Sequence, residues 1–363
     1  MVWCLLILYL KVMKKHPQIS LVQAECAALL AELSWISPSC VALIAEEGCL
    51  QLALSSMQCH STNLKVQQMT CSFFRAMSYD FHNHRAIASV DGVRAVVDSM
   101  KRNTKKYDVL KEACYFFQNI MCNPDTKSKT TECVLSTVPI IIDALGDKLR
   151  DVEYTRAACG VLANLAIDEN AREQMIRYNL LVPTLLSILA SSKIDMDACK
   201  CSLNVLNFLA TVNNKAKAKI ANHGGMKTII GFLTPLDSVI LLDSGMRLLA
   251  ELTKTNKRNS QLFLDEGGFE LVTTKMMNNA HWSILQVQAF AIVRNLAVLD
   301  LEEVKVAVNL ILEVIRDHKE DRIQLDACQA LLQYCCRFPS AAKMLQSEEA
   351  NQILASSQFK YLS

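Results

Sequence analysis

Apolar residues recur every three or four positions along almost the whole chain, with Ala, Leu, Lys, Glu and Gln between them. Residues three and four apart share one face of an α-helix, so this spacing indicates amphipathic helices. No stretch shows a convincing β-strand alternation, and the chain has only 10 Gly and 7 Pro. The pattern therefore predicts an all-α protein.

One helical pattern, which we call the frame, recurs eight times. Its first residue is small in every copy, so another helix can cross closely at Cys26, Thr70, Ala113, Ala158, Cys201, Gly245, Ala289 and Cys328. Successive copies lie 44, 43, 45, 43, 44, 44 and 39 residues apart. The residues four and seven positions later are apolar in every copy and share the face of the first. Each frame is therefore predicted to be one helix that buries this stripe.

A second landmark marks the start of another helix in each repeat, at Gly48, Gly92, Ser136, Leu180, Gly225 and Gly268. Pro139 and Pro183 fall in the first turn of such helices, where the missing N–H costs nothing. A period near 44 residues with two or three helices per unit is typical of armadillo and HEAT arrays.

The stretch RAACGVLANLAIDENAREQMIRYNLLVPTLLSILASS (156–192) resembles the armadillo repeat. It contains a long third helix ending in LANLA, a short first helix led by Asn, and a second helix beginning near a Pro. The resemblance covers essentially the whole chain without singling out a member of the family. It implies a right-handed α–α superhelix of about eight to nine repeats over residues 1–363, as a single solenoid whose repeats contact only their neighbours. The third helices are then expected to line a concave groove.

The two ends are interpreted with the same spacing. MKKHPQISLVQAE overlays MKRNTKKYDVLKE, so the apolar start MVWCLLILYLKVMKK is predicted to be a second helix, and the array to begin in mid-repeat. This run is too short for a membrane span, and its lysines follow the apolar stretch, unlike those of a signal peptide. The chain is expected to end in a partial capping repeat. The interval of 39 residues predicts that the repeat near 301–317 lacks its short first helix.

Composition narrows the chemistry. The formal net charge of +2 gives no reason to expect nucleic acid or a membrane surface as partner. The 15 cysteines lack zinc-finger spacing, so we interpret them as buried thiols of a cytoplasmic protein, with the nucleus as the other location. DFHNH (80–84) could bind a metal, but an exposed loop is favoured. No catalytic motif or phosphate loop is present, so we expect no enzyme activity, metal, cofactor or small-molecule substrate.

The predicted binding site lies on the third helices. Peptide-binding armadillo proteins present an Asn into the groove at the sixth position after the first frame residue, and here Asn119, Asn164, Asn207 and Asn295 occupy it. The resemblance implies that these amides bind a ligand backbone; the alternative is that they hold the adjoining helix. Tyr115 and a mildly basic wall suit an acidic or phosphorylated protein segment, unless the wall is only a solvated face: Arg75, Lys111, Arg156, Lys200, Arg247 and Arg294. The Trp array of nuclear-import adaptors is missing.

Three functional hypotheses follow. The leading one is a non-catalytic scaffold or adaptor that holds an extended or helical partner segment in the concave groove. The alternative is an architectural or regulatory segment of a larger kinase, ciliary or cytoskeletal assembly, contacting through its convex surface or N-terminal helix. A third is nucleic-acid binding by basic turns such as KRNTKK (101–106), which is disfavoured because no aromatic residues are interleaved.

Overall fold

The computed structural model describes residues 2–36, 38–147, 151–191, 195–296, 301–318 and 320–356. These residues form 24 α-helices and one short 3₁₀ helix, and none of them forms a β-strand. The helices follow one another in a repeated order of short first, second and long third helix. The expectation of an all-α fold is confirmed.

The third helices carry the frame. They are α2 (Ser20–Ser34), α5 (Leu64–Ser78), α8 (Tyr107–Ile120), α11 (Val152–Ala166), α14 (Met196–Ala210), α17 (Val239–Thr253), α20 (Ser283–Asn295) and α22 (Asp321–Arg337). The second helices are α1 (Val2–Lys15), α4 (Cys49–Cys59), α7 (Gly92–Arg102), α10 (Val138–Asp147), α13 (Leu181–Ala190), α16 (Gly225–Leu233), α19 (Gly268–Asn278), α21 (Leu301–Asp317) and α24 (Glu348–Ser356).

The first helices are shorter and more variable. They are α3 (Pro38–Glu46), α6 (His84–Ser89), α9 (Pro124–Leu135), α12 (Glu169–Met175), α15 (Asn214–Asn222), α18 (Lys257–Asp265) and α23 (Pro339–Met344), with the 3₁₀ turn Phe81–Asn83 before α6. Between α20 and α22 the described residues contain only α21, as the short interval predicts. The helix α1 precedes α2 as second helices precede third ones elsewhere. Of the expected C-terminal cap, 357–363 lie outside the described residues.

Local sequence explains where many helices begin. A side-chain oxygen accepts the backbone N–H three residues later, which satisfies a free donor of the first turn, at Asn63, Asp151, Asp168, Asn213 and Asn256. Three second helices follow a glycine in the left-handed region: Gly48 with φ of 78°, Gly224 with φ of 76° and Gly267 with φ of 77°. Glycine adopts this conformation without a Cβ clash, so the short first helix can turn directly into the second.

Contacts group the residues into two compact units. Unit 1 comprises Met1–Thr184 and Lys193–Cys201, and unit 2 comprises Leu185–Ser192 and Ser202–Ser363. Within unit 1 the third helices α2, α5, α8 and α11 pack each against the next, and within unit 2 α17, α20 and α22 do the same. This is the nearest-neighbour packing of a repeat protein. A single right-handed array over 1–363 stays a prediction.

The observed starts of α14 and α22 show that the first frame residue was assigned incorrectly in these two repeats. In six repeats the third helix begins six residues before the predicted first frame residue. The same rule applied to α14 and α22 gives Ser202 and Ala327, so the expected Cys201 and Cys328 were each wrong by one position. Burial agrees, because Ser202 and Ala327 are fully buried whereas both cysteines are only half-buried. With this correction the residues four and seven positions later are buried in every repeat, ending with Leu331 and Tyr334.

A recurring glutamine contact gives independent evidence for the position of the first frame residue in α22. Gln23 Nε2 donates to Met13 O and His16 O, both at 3.0 Å, and so closes the C-terminal end of α1. The same two-carbonyl clamp on the preceding second helix recurs at Gln67, Gln286 and Gln324. Each of these glutamines lies three residues before the first frame residue. Gln324 therefore places that residue of α22 at position 327.

In the described part of the chain, no single helix has both the length and the hydropathy to cross a membrane. The pair Ser39–Glu46 and Cys49–Cys59 reaches those limits only when taken together, and it is bent by 64°.

Candidate partner-binding surface

In each third helix the second, fifth and twelfth residues lie on one side, because of the helical period. We call this face the wall and describe it separately for each unit. Most predicted site residues lie on it or beside it: Lys111, Arg156 and Lys200 are fifth residues, and Arg75 and Arg294 are twelfth residues.

Ion pairs cross between neighbouring third helices on the unit 1 wall. Arg75 Nη1 lies 3.1 Å from Glu112 Oε2, joining α5 to α8. Lys111 Nζ lies 2.9 Å from Glu153 Oε2, joining α8 to α11. The hydrogen bond between Lys111 and Glu153 raises the pKa of the ammonium and lowers that of the carboxyl. These basic side chains are therefore neutralised within the fold.

The third pair of unit 1 follows the same plan. Arg156 Nε donates to Asp195 Oδ1 at 3.2 Å, Arg156 Nη2 pairs with the same carboxylate, and Asp197 lies 3.9 Å away. The hydrogen bond from Arg156 lowers the pKa of Asp195. The series of ion pairs on the unit 1 wall ends with this pair. The fifth residue of the next third helix, Lys200, is exposed and has no ion-pair partner among the described residues.

Tyr115 was predicted as an aromatic contact for a ligand. Instead, Arg75 Cζ lies 4.1 Å from the centroid of its ring, a cation–π contact that covers one face of the ring. Burial raises the pKa of the Tyr115 hydroxyl. The structure thus brings Arg75, Tyr115, Lys111 and Arg156 together, but as a network that is largely satisfied internally.

The asparagines divide into two groups. Asn119 Nδ2 donates to Ser78 Oγ at 3.2 Å and Asn164 Nδ2 to Gln118 O at 3.1 Å. In unit 2, Asn295 Nδ2 donates to Ala250 O at 2.8 Å. Each of these bonds ties a third helix to the third helix before it, which is the alternative role considered from the sequence.

Asn207 differs from the other three. After the register correction it is the twelfth residue of its helix, whereas Asn119, Asn164 and Asn295 are thirteenth residues. Phe208 takes the thirteenth place in α14. The series of asparagines predicted at one frame position in consecutive repeats is therefore interrupted after Asn164. The reason is that the predicted interval from Ala158 to the first frame residue of α14 is one residue too short.

The thirteenth place of α17 holds an interaction that sequence reasoning missed. Glu251 Oε1 lies 2.8 Å from Lys217 Nζ, and the same ammonium donates to Lys254 O at 3.1 Å. The Lys217 side chain is only 6% exposed. Here a buried ion pair replaces the amide bond of Asn164 and Asn295. The signal available in the sequence was a Lys on the otherwise apolar side of a short first helix.

On the unit 2 wall, aliphatic side chains occupy places that carry charge in unit 1. Ile240 and Ile284 are second residues, where α11 and α14 have Glu153 and Asp197. Leu325 is a fifth residue and Leu332 a twelfth; Ile240 is 60% and Leu332 64% exposed. We call Ile240, Ile284, Leu325 and Leu332 the aliphatic stripe. Sequence reasoning missed it because the frame for α22 was displaced and Leu332 was expected to be buried.

The two predicted basic site residues of unit 2, Arg247 and Arg294, are also partnered. Arg247 Nη2 lies 2.8 Å from Asp243 Oδ2 one turn earlier in α17. Arg294 Nη1 donates to Gln329 Oε1 at 3.2 Å, between α20 and α22. The structure therefore does not present the six basic side chains as a free cationic surface.

Other candidate chemistry does not assemble. His82 Nδ1 lies 2.9 Å from Asp80 Oδ1, and His84 Nε2 is buried against Ser78 O at 2.8 Å. The described residues contain no group of three side chains placed to hold a metal. Burial raises the pKa of Cys71 to about 12 and of Cys199 to about 11, so these thiols are protonated near neutral pH.

Comparison with known proteins agrees with this architecture. Residues 136–305 match the family model described as the GAC ARM domain. An engineered protein solved by the Northeast Structural Genomics Consortium superposes with a TM-score of 0.68 at 19% identity, over 97% of this chain and 99% of that chain. Two further engineered proteins from the same consortium give TM-scores of 0.56 at 20% and 18% identity, over 68% of this chain and 97% and 98% of theirs.

These identities are low, so the structural likeness shows the fold alone. No curated protein sequence matches the chain. The family match falls within the repeated series of first, second and third helices, and it agrees with the resemblance carried by residues 156–192. Residues 136–305 are therefore similar to an armadillo domain, and the described residues have the all-helical repeat fold of an α-solenoid.

Proposed function

We propose that the chain is a non-catalytic protein-interaction scaffold that holds a segment of a partner protein on the wall of unit 2. The observation that carries this proposal is the aliphatic stripe. Four large aliphatic side chains are exposed on the third helices α17, α20 and α22, although the core positions of the same helices are already filled. Exposed apolar residues that fall together on one face are a mark of interaction surfaces.

The chemistry of the stripe favours a partner with an apolar face. Burying aliphatic surface contributes about 25 cal/mol per Å² removed from water, so the stripe gains from being covered. The paired side chains of the unit 1 wall gain little, because a ligand must first displace a carboxylate that already satisfies each cation. Repeats stacked side by side place Ile240 and Ile284 at equivalent points of their helices, which suits an extended or helical segment crossing several repeats.

Because most of the predicted basic residues are already paired, few of them can contact an acidic or phosphorylated partner. Lys200 is exposed and has no ion-pair partner among the described residues, so it is one of the cations on the third helices that can meet an acidic group. We therefore propose that an acidic group of a partner contacts Lys200 in unit 1, as a contact separate from the aliphatic stripe of unit 2.

Paired substitutions test this function. We expect Ile284→Gln with Leu332→Gln to lower the affinity for a co-purifying partner about tenfold, equivalent to about 1.4 kcal/mol. Met277→Gln is the matched control, because Met277 is also exposed in unit 2 but lies on a second helix. Thermal melting should be similar for all variants. Unchanged binding by the double variant, with loss of binding by Met277→Gln, would transfer the site to the second helices and support the architectural alternative.

A further inference from the structure

A second exposed apolar site lies in unit 1, away from the wall residues described above. The C-terminal ends of α2 and α5, together with the 3₁₀ turn, enclose a depression of about 550 Å³. Its lining includes three aromatic side chains from two neighbouring repeats, Trp35, Tyr79 and Phe81. Trp35 is 49% and Tyr79 75% exposed, which is unusual for such large rings in a chain with ample core.

The aromatic rings form an angled arrangement. The ring centroids of Trp35 and Tyr79 lie 5.6 Å apart with an interplanar angle of 59°. Two tilted rings present parts of their π faces to the same space, and Phe81 contributes a third ring to the lining. The face of an aromatic ring is negative because of its quadrupole, so it attracts a cation placed within about 6 Å of its centroid.

One carboxylate completes the lining. Asp80 accepts the backbone N–H of His82 at 2.9 Å, and the hydrogen bond lowers the pKa of its side chain. No lysine or arginine lines the depression, and His82, which does, lies with Nδ1 2.9 Å from the same carboxylate. The charge and the ring faces are therefore both complementary to a positive group.

We propose that this depression, which we call the aromatic pocket, binds a lysine or arginine side chain of a partner protein. The rings contact the flat or methylene part of that side chain, and Asp80 faces its charge. A volume of about 550 Å³ admits the whole side chain instead of the head group alone. The aromatic pocket lies in unit 1 and the aliphatic stripe in unit 2, so either site can fail without the other.

The test uses two peptides that differ only in charge. The full-length chain, labelled with 5-fluorotryptophan, is titrated with acetyl-Gly-Ser-Arg-Ser-Gly-amide and with the same peptide carrying citrulline, the neutral analogue of arginine. We expect the ¹⁹F resonance of Trp35 to shift saturably with the arginine peptide, and the affinity for the citrulline peptide to be about fivefold or more lower. The resonance of Trp282, an exposed Trp in unit 2, should not move.

Variants identify the contributing groups. Tyr79→Leu and Asp80→Asn should each weaken the arginine peptide about threefold to tenfold, whereas Tyr79→Phe should keep its affinity because the ring remains. Circular dichroism melts show whether each variant is folded. Equal affinity for the arginine and citrulline peptides overturns the proposal in favour of a purely apolar pocket. Absence of a saturable Trp35 shift, or an unaltered affinity in Tyr79→Leu, also overturns it.

Discussion

The wall of α8 and α11 in unit 1 and the wall of unit 2 have the same helical geometry but differ in how many aliphatic residues they expose. In unit 1 the charged side chains pair across neighbouring third helices, as Lys111 does with Glu153. In unit 2 several corresponding places hold aliphatic residues such as Ile284, and the ion pair of Lys217 with Glu251, which lies within one repeat, is largely buried. The repeat fold therefore determines which helix positions form the wall. The residue types at those positions determine whether the wall carries internally paired charges or exposed aliphatic side chains that a partner can cover.

The largest expected effect comes from two adjacent leucines of α22, one in the core and one on the wall. Leu331 is buried and Leu332 is on the aliphatic stripe. We expect Leu331→Ala to lower the free energy of unfolding by about 2–4 kcal/mol through cavity formation. Leu332→Ala should change it by less than about 0.5 kcal/mol. Urea denaturation followed by circular dichroism measures both. A larger loss from Leu332→Ala would restore the original frame, with Leu332 in the core.

The buried ion pair of unit 2 gives the next largest effect. Lys217→Met removes the ammonium, so Lys254 O loses this donor and Glu251 keeps only the ammonium of Lys254 at 3.9 Å. The expected cost is about 2–3 kcal/mol in unfolding free energy. Lys305→Met is the matched control, since its 2.6 Å pair with Glu302 is exposed and should contribute about 0–0.5 kcal/mol. Equal denaturation midpoints for the two variants would mean that burial does not strengthen the Lys217 pair.

Substitution of Asn164 and of Asn207 distinguishes two helix positions that the predicted frame treats as equivalent. Asn164→Ala removes the bond to Gln118 O and should destabilise unit 1 by about 1 kcal/mol. Asn207→Ala should cost less, because Asn207 is a twelfth residue on the wall and the inter-helix amide bond belongs to the thirteenth place. Hydrogen exchange of amides in α8 and α11 locates the first effect. Equal destabilisation by both variants would argue that Asn207 also joins neighbouring helices.

The smallest effect concerns pH. Because the pKa of Asp195 is lowered in the folded chain, its contribution is fully present above the unfolded pKa of about 3.9 and is lost as the pH falls through the folded value. Asp195→Asn should therefore cost at most about 1 kcal/mol at pH 7 and progressively less toward pH 3. Ile240→Gln, on the uncharged wall, should show no such trend. Denaturation midpoints across this pH range are the measurement.

Several features could be predicted because they rest on local rules. The 3.6-residue period determined the helices, and the spacing of small residues gave the first frame residue correctly in six of eight third helices and one position away in the other two. The 39-residue interval before Cys328 predicted that one repeat lacks its short first helix, and the described residues between α20 and α22 contain only α21. Each of these depends on one helix and its buried stripe, so neighbouring repeats reinforce the same pattern.

Pairing between repeats could not be predicted in the same way. The basic residues were visible, but their neutralisation by Glu112, Glu153 and Asp195 depends on which side chains meet across two helices. The position of Asn207 depended on a single-residue count, since both Cys201 and Ser202 are small enough for the first frame position. Ser202 is the buried one, and only the packing of α14 distinguishes them.

The most direct test places a photoreactive p-benzoylphenylalanine at one wall position at a time. With the chain bound to a co-purifying partner, Ile284 and Leu332 are replaced in turn, with Lys111 as the unit 1 comparison and Met277 as the second-helix control. We predict covalent adducts to one partner segment from positions 284 and 332, and none from 111 or 277. Adducts from position 111 or 277, with none from 284 and 332, would contradict the assignment of the binding surface to the aliphatic stripe.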